Sequence, residues 1–228
     1  MLLSSSGNKL IFENQQDKRI NLADQNYITA SCKIENGLVE KDGRNLFTHA
    51  GDVGSLLLTA YQHFRLSYPK FHKMDRLSKL GWLATEVLLM DSFEQGKYEP
   101  EDISVILANA SSSLDDDLKY YDSVAEAASP SLFVYTLPNI VIGEICIRNH
   151  FKGEQAFFIQ GNFQSEFIQQ QAAYLLANNC TKCCVCGWVD ILGEEYKCVL
   201  FLVEKIKKGN AALFSAVDMD EIFNSTAK

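Results

Sequence analysis

The chain has 228 residues, of which 47% are hydrophobic, and its formal net charge at pH 7 is −8. That hydrophobic content excludes a disordered chain, and no apolar run is long enough to cross a bilayer. An acidic chain lacks the basic surface that neutralises phosphates, which excludes a nucleic-acid-binding protein.

The start of the sequence is polar and carries no export signal. "MLLSSSGNK" lacks a cationic beginning, and its apolar stretch is too short for a secretory signal peptide. We therefore predict a cytoplasmic protein. Residues 1–25 are weakly patterned and are predicted to form an N-terminal arm ahead of a single domain, residues 26–228.

The first half of that domain shows strand and helix patterns in turn. Residues 26–34 ("NYITASCKI") alternate as a strand does, and Asn36–Gly37 and Asp42–Gly43 are typical turn signals. Apolar positions at helical spacing predict two helices, and a continuous apolar run predicts a strand covered on both faces. These three elements cover residues 52–66, 75–93 and 103–110.

The second half continues the alternation. The acidic run 115–117 could ligate a metal, but consecutive carboxylates do not converge, and we interpret it as the cap and first turn of a helix. The elements that follow are an extended segment broken by prolines ("SPSLFVYTLPN"), a helix over 139–151, a buried strand ("AFFIQ"), a long amphipathic helix, a hairpin of two strands (183–189 and 197–203) and a short C-terminal turn.

Alternating strands and helices indicate an α/β layered domain with helices on both faces of a mostly parallel sheet. The final hairpin supplies one antiparallel edge.

Four of the seven cysteines are clustered as Cys180, Cys183, Cys184 and Cys186. The Cys-x2-Cys spacing matches zinc ligands, so a zinc or redox module is one alternative function. A structural zinc site needs a second pair of ligands, which the later sequence does not provide. The other interpretation is a buried strand in which cysteine acts as a small apolar residue. We therefore predict no metal and no cofactor.

One stretch of sequence resembles a known family. "SPSLFVYTLPNIVIGEICIRNHFKG", the strand–glycine–helix after it and "CCVCGWVD" resemble the N-terminal half of β-ketoacyl synthases of the thiolase superfamily. The matching positions are Pro130–Ser131, Phe133, Pro138–Asn139, 151–153, 187–190 and the Lys-Met-Asp segment 73–75. The resemblance covers roughly residues 27–205 and implies a thiolase-like half with a five-stranded mixed sheet.

The resemblance places the nucleophilic cysteine of these enzymes at Asn162, between Gly161 and Phe163. A thiol is needed there because a helix N-terminus stabilises the thiolate that accepts the acyl group. A carboxamide cannot form the thioester. Ser165 has no neighbouring base in the sequence, so no catalytic residue is predicted at this corner.

The family's second half supplies histidines that polarise the malonyl thioester. His49, His63, His72 and His150 match none of those positions and are interpreted as surface or capping groups. The machinery for condensation is therefore expected to be missing along with the thiol, although the chain resembles a 3-oxoacyl-acyl-carrier-protein synthase.

In the resembled family, the strand that carries the nucleophile pairs antiparallel with its symmetry mate. Here Phe157, Phe158 and Ile159 are predicted to form that edge, because an unpaired apolar edge invites aggregation. The implied partner is a second copy or an active ketosynthase.

The predicted function is a non-catalytic ketosynthase-like subunit, a pseudoenzyme that pairs as a dimer in fatty-acid, polyketide or aryl-polyene biosynthesis. An enzymatic alternative is a malonyl-thioester decarboxylase completed by a second chain. An acyl carrier protein is a further conceivable partner, but carrier proteins are acidic and like charge suppresses their encounter with this chain.

Overall fold

A computed structural model describes residues 25–225, apart from residues 95, 126 and 210. The N-terminal arm predicted for residues 1–25 lies, except for residue 25, outside this range.

The described residues form a single mixed β-sheet. Its strands are β1 (Tyr27–Glu35), β2 (Leu38–Lys41), β3 (Arg44–Thr48), β4 (Ile103–Asn109), β5 (Gln155–Ile159), β6 (Cys183–Leu192), β7 (Glu195–Glu204) and β8 (Ala212–Leu213). The strand order is β3-β2-β1-β7-β6-β4-β5, and β8 pairs with the start of β1. β5 therefore stands at an edge of the sheet.

The five strands β1, β7, β6, β4 and β5 are consecutive neighbours in the sheet, with β5 at its edge. β4 pairs in parallel with β5 and β6, whereas β7 pairs antiparallel with β6 and β1. Four of these strands consequently run in one direction and β7 runs against them, which agrees with the predicted mixed sheet. The final hairpin was predicted to form an antiparallel edge, but β6 and β7 lie inside the sheet, because β7 also pairs with β1. The described sheet has eight strands rather than five, because β2, β3 and β8 extend it.

Seven helices cover the two faces of the sheet in the described part of the chain. They are α1 (Val53–His63), α2 (Arg76–Leu89), α3 (Leu114–Val124), α4 (Pro130–Val134), α5 (Ile140–Asn149), α6 (Ser165–Ala177) and α7 (Ala216–Asn224). One hydrophobic core lies between the sheet and α1, α2 and α5. The second core lies between the sheet and α6 and α7. Helices on both faces confirm the predicted class.

Local sequence explains where the best-defined elements begin and turn. Asp52 and Asp75 cap α1 and α2, because each carboxylate accepts a hydrogen bond from a backbone N–H in the first turn. Both predicted hairpin turns are present. Asn36 and Gly37 have φ of 51° and 76°, the left-handed pair that a tight hairpin requires.

Two predictions about local structure were wrong. The extended segment "SPSLFVYTLPN" contains the short helix α4, because Ser129 accepts a hydrogen bond from the Leu132 N–H and Pro130 occupies the first turn. The strand "AFFIQ" was predicted to be buried, but Gln155 and Ile159 of β5 are exposed because no described element covers this edge. Among the described residues, no helix has the length and apolar character of a membrane span.

Candidate functional site

The candidate site lies at the carboxyl-terminal ends of the parallel strands β4 and β5. In parallel sheets the loops that follow the carboxyl-terminal ends of the strands carry the functional residues. The Gln160 N–H donates to the carbonyl of Asn109, at 2.8 Å, as β5 ends. The buried Asn109 carboxamide accepts a hydrogen bond from the Ser112 N–H at 3.0 Å and donates one to the Ser112 carbonyl at 2.8 Å. The chain is thereby turned from β4 towards α3.

β6 and β7 extend past this edge as a long hairpin. Asp190 on β6 accepts a hydrogen bond from the Ser111 N–H at 2.9 Å. Gly187, within the resembled motif 187–190, has φ of 148°, and a Cβ there would lie 2.1 Å from the Val199 carbonyl oxygen. Only glycine lets the two strands approach so closely.

Residues 160–164 form the corner between β5 and α6. Phe163 anchors it, stacking on Phe223 of α7 with ring centroids 4.2 Å apart and meeting Trp188 of β6 edge-on at 6.1 Å. The corner is therefore attached to the second core by an aromatic contact. Gly161 has open space around its Cα, so sterics do not require glycine at this position.

Asn162 is exposed on this corner, three residues before α6 begins at Ser165. Its side-chain oxygen accepts a hydrogen bond from the Gln164 carboxamide. Ser165 is the buried first residue of the helix. The corner thus offers an exposed carboxamide and a buried hydroxyl, and neither is paired with a base.

The four histidines lie on other elements. His49 contacts Ser55 and Thr59 at the start of α1, at 2.9 and 3.2 Å. His150 ends α5 in a left-handed conformation, at the opposite end of β5 from the corner. The remaining two lie at the end of α1 and in the short 3-10 turn before α2. The fold does not gather them beside Asn162.

The cysteine cluster is divided between the two faces of β6. Cys183 packs in the first core, whereas Cys184 and Cys186 pack in the second. Burial raises the pKa of the Cys183 thiol, and a hydrogen bond with Cys186 does the same for Cys184. Cys180 is exposed in the preceding loop. Within the described ranges no three histidine, cysteine or carboxylate side chains are arranged to hold a metal ion.

No strand of the described residues pairs with the outer side of β5, which therefore presents a row of backbone groups there. Val105 of β4 bonds to the Glu154 carbonyl at 3.0 Å, and Gln160 bonds back to Asn109. In a parallel ladder alternate residues direct both backbone groups to the same neighbour. The backbone N–H and carbonyl groups of Ala156 and Phe158 therefore point towards β4. Those of the three residues between and beside them point away from the sheet. These outward residues are Gln155, Phe157 and Ile159, all uncharged.

Sequence reasoning missed an acidic cluster between the start of α2 and α3. Asp116 of α3 is only 2% exposed, and one of its carboxylate oxygens has no hydrogen-bond partner within the described ranges. Burial raises the pKa of Asp75, the cap of α2, to about 6, and the charge of Asp116 adds to this shift. Tyr135 bonds to Glu144 at 3.3 Å beside them. Only the packing of α3 against α2 brings these side chains together, so no local pattern could have revealed them.

The architecture is ketosynthase-like. No protein-family profile matches the sequence, and no curated protein sequence is similar to it. Solved structures with this fold are nevertheless found, and they include ketosynthases and chain length factors. Their sequence identities to this chain are 11 to 14%, so the likeness establishes the fold alone.

Three of these structures define the likeness. The ishigamide ketosynthase/chain length factor has a TM-score of 0.59 and 14% identity, over 82% of this chain and 64% of that one. A type II polyketide ketosynthase, in complex with its acyl-carrier protein, has a TM-score of 0.55 and 13% identity, over 79% and 62%. A ketosynthase in complex with its chain length factor from Xenorhabdus doucetiae has a TM-score of 0.52 and 13% identity, over 79% of each chain. The chain thus spans less than two thirds of the first two.

Proposed function

We propose that this chain is a non-catalytic ketosynthase-like subunit that pairs with a second ketosynthase-fold chain in fatty-acid, polyketide or aryl-polyene biosynthesis. The observation that carries the proposal is the corner at Asn162. The sequence resemblance assigns the acyl-accepting thiol of that family to position 162, and Asn162 is an exposed carboxamide at the corner between β5 and α6, which supports the proposal.

The absence of a base at the corner supports the same proposal. An acyl acceptor needs a nucleophile with a lowered pKa or a neighbouring base. Among the described residues, Asn162 hydrogen-bonds to the Gln164 carboxamide, and Ser165 is buried at the start of α6. The role left to the corner is structural, as the link between the edge strand and α6.

The open edge of β5 supports the pairing. An exposed, uncharged strand edge is a ready template for another chain. If two such edges met about a two-fold axis, Phe157 would face its symmetry mate and Gln155 would face Ile159 of the other chain. Two of the similar structures are ketosynthases solved with a chain length factor or as such a pair. We infer that this chain takes one place in a pair of this kind.

Residues 26–228 are proposed to act as one domain, because both cores use the same continuous sheet. A cytoplasmic location is proposed on the seven free cysteines, which an oxidising compartment would tend to cross-link.

The test is acyl transfer measured by intact mass. The purified chain is mixed with an acyl-carrier-protein thioester, and an active ketosynthase in the same mixture provides the positive control. We expect no acyl adduct on this chain. The Cys180→Ser variant controls for slow chemical transfer to the one exposed thiol. A stoichiometric adduct that persists in this variant would overturn the proposal.

A further inference from the structure

A serine, a histidine and a threonine are hydrogen-bonded in series where the chain passes from β3 into α1. The Ser55 hydroxyl lies 2.9 Å from Nε2 of His49, and the Thr59 hydroxyl lies 3.2 Å from Nδ1 of the same ring. All three residues are half-buried. A nucleophile beside a base that a third group orients is the arrangement that activates a hydroxyl for covalent chemistry.

The contacts of Thr59 determine which nitrogen of His49 carries the hydrogen. The Thr59 hydroxyl has one hydrogen, and its shortest contact is with the Ser55 carbonyl at 2.7 Å, so it donates there. The Thr59 oxygen then accepts from His49, which places the imidazole hydrogen on Nδ1. Nε2 is therefore bare and accepts from the Ser55 hydroxyl, as a general base must.

One other acceptor competes for the Ser55 hydrogen. The Asp52 carbonyl lies 2.8 Å from the Ser55 hydroxyl, but it already accepts the Leu56 N–H of the helix at 3.0 Å. If Ser55 donated to Asp52, the lone pairs of its oxygen would face the bare Nε2 of His49 at 2.9 Å, which is repulsive. The bond to His49 is thus the one that satisfies both side chains.

A glycine leaves the two reacting atoms open. A Cβ on Gly51 would lie 2.6 Å from Nε2 of His49 and 2.8 Å from the Ser55 hydroxyl oxygen. Gly51 is itself exposed. A larger residue would cover both atoms, whereas glycine leaves a space of about one carbon atom within reach of base and nucleophile, where a reacting carbonyl carbon can lie.

The charges around the pair determine which substrates suit it. Asp52 is exposed, and its carboxylate accepts the Ser55 N–H at 2.9 Å. The Glu194 carboxylate accepts the Val53 N–H at 2.9 Å, also in the first turn of α1. Two carboxylates beside the serine repel anionic groups, and they occupy N–H groups that would otherwise stabilise an oxyanion. The favoured substrate is therefore a neutral or cationic ester with a good leaving group, and turnover is expected to be slow.

We propose that Ser55 and His49 form a nucleophilic pair that accepts the acyl group of small neutral or cationic esters, and that Thr59 positions the histidine. The Ser55 oxygen bonds to the carbonyl carbon as its proton passes to Nε2 of His49. The bond to the leaving alcohol then breaks, and the alcohol takes up that proton. Water releases the acid in a second step, in which His49 accepts a proton from the water and returns it to the Ser55 oxygen.

This inference goes beyond the proposed function and does not depend on it. The pair follows β3, at one end of the strand order of the described sheet, whereas the corner at Asn162 follows β5 at the other end. Ester hydrolysis forms no carbon–carbon bond, so the pair does not supply the missing condensation chemistry. An acyl-carrier protein is acidic and lies outside this substrate class, because the two carboxylates repel it.

The test is covalent labelling with an alkyl fluorophosphonate, in which the serine oxygen bonds to phosphorus and fluoride leaves. Intact mass and peptide mapping are expected to show one phosphonyl group, attached to Ser55. We expect Ser55→Ala to abolish this label and His49→Gln to slow it by about a hundredfold or more. Ser67→Ala is the matched control, because Ser67 is an exposed serine in the loop after α1, and it should label like the wild type.

Two variants of Thr59 test its positioning role. Thr59→Val removes the hydroxyl that fixes the tautomer of His49 and should slow labelling by about tenfold or more. Thr59→Ser keeps the hydroxyl and should label at nearly the wild-type rate. Release of p-nitrophenol from p-nitrophenyl acetate should follow the same order. Circular dichroism checks that each variant is folded.

Each outcome supports or overturns the inference. A label on Ser55 that requires His49 and the Thr59 hydroxyl supports it. The inference is wrong if no label forms on Ser55, if His49→Gln labels as fast as the wild type, or if the chain unfolded in urea labels as fast as the native chain. An acyl adduct at the corner would contradict the proposed function instead, and it would persist in the Ser55→Ala variant.

Discussion

Glu204, the last residue of β7, has a carboxylate with no solvent exposure and four donors around it. Lys97 donates at 2.7 Å, and Tyr98, Thr29 and Lys208 each approach to 2.6 Å. Burial alone would raise the pKa of this group, but the bonds from Lys208 and Lys97 outweigh burial and lower the pKa to about 2. Three separate parts of the chain are fastened at this one residue.

The lowered pKa of Glu204 predicts a loss of stability in acid. A carboxyl whose folded pKa lies below its unfolded value of 4.5 stabilises the fold above that value, and the effect fades as the pH falls towards 2. The shift corresponds to about 3 kcal/mol at neutral pH. We expect Glu204→Gln to lower the free energy of unfolding by about this amount at pH 7 and by much less near pH 2.5. Urea denaturation at both pH values measures it.

Glu166→Gln is the matched control, because Glu166 is an exposed glutamate on α6. It should leave the free energy of unfolding at pH 7 nearly unchanged. A Glu204→Gln variant as stable as this control would mean that the four donors do not stabilise the fold.

Residue-scale features were predictable only where the physics is local. The turn at Asn36–Gly37 follows from the preference of these two residues for positive φ. The partners of Glu204 come from positions 29, 97, 98 and 208, which the sequence does not connect. Asn162 was assigned from a family resemblance, and its exposure was visible only in the structure.

At the scale of elements, β5 makes the sharpest prediction. The Ile159 N–H points away from β4, so proline there removes an outward donor and keeps the ladder inside the chain. We expect Ile159→Pro to abolish pairing of the β5 edges while the monomer stays folded. Size-exclusion chromatography with light scattering measures the mass of the species in solution.

Ile159→Ala provides the comparison, since it removes the side chain but keeps the N–H. It should retain more of the pairing than Ile159→Pro. If the two variants pair equally well, the outward backbone groups of β5 do not form the contact.

Elements with a strong apolar pattern in the sequence were predicted well. The continuous apolar run at 103–110 became β4, which is buried along its whole length. α4 was missed because two prolines suggested an extended segment, although Ser129 followed by Pro130 is also a helix start. In α3 the buried side carries Asp115 and Asp116, and Leu118 is exposed. The apolar pattern of the helix predicts the reverse, and the bonds of Asp115 to Arg76 and Lys119 stabilise the observed orientation.

At the scale of the whole molecule, a strongly negative chain is proposed to pair through an uncharged strand. The chain carries −8 overall, while the residues of β5 carry no charge. Added salt screens the repulsion between two copies and leaves an uncharged contact intact. We therefore expect the dimer dissociation constant to fall a few-fold between about 0.02 M and about 0.2 M sodium chloride.

Sedimentation equilibrium across this salt range measures the trend. An interface built on ion pairs would show the opposite dependence. A dimer that weakens tenfold with salt would contradict a contact formed by the uncharged β5 edge.

The fold class was predictable because strand and helix patterns alternate over most of the chain. The strand count was not, since β2, β3 and β8 have only four, five and two residues and carry little pattern. The candidate site was located from the strand–helix corner. The acidic cluster behind it depends on contacts between distant segments, which a single sequence does not reveal.

The tip of the β6–β7 hairpin reaches into the region that presents α3. Asp190 holds the Ser111 N–H, and the Gly193 N–H holds Asp115. A change in the length of this turn would tilt α3 without altering any residue of the surface it displays. The length of this turn therefore sets where α3 lies relative to the sheet, so an insertion or deletion at Gly193 is a way to move that helix as a unit.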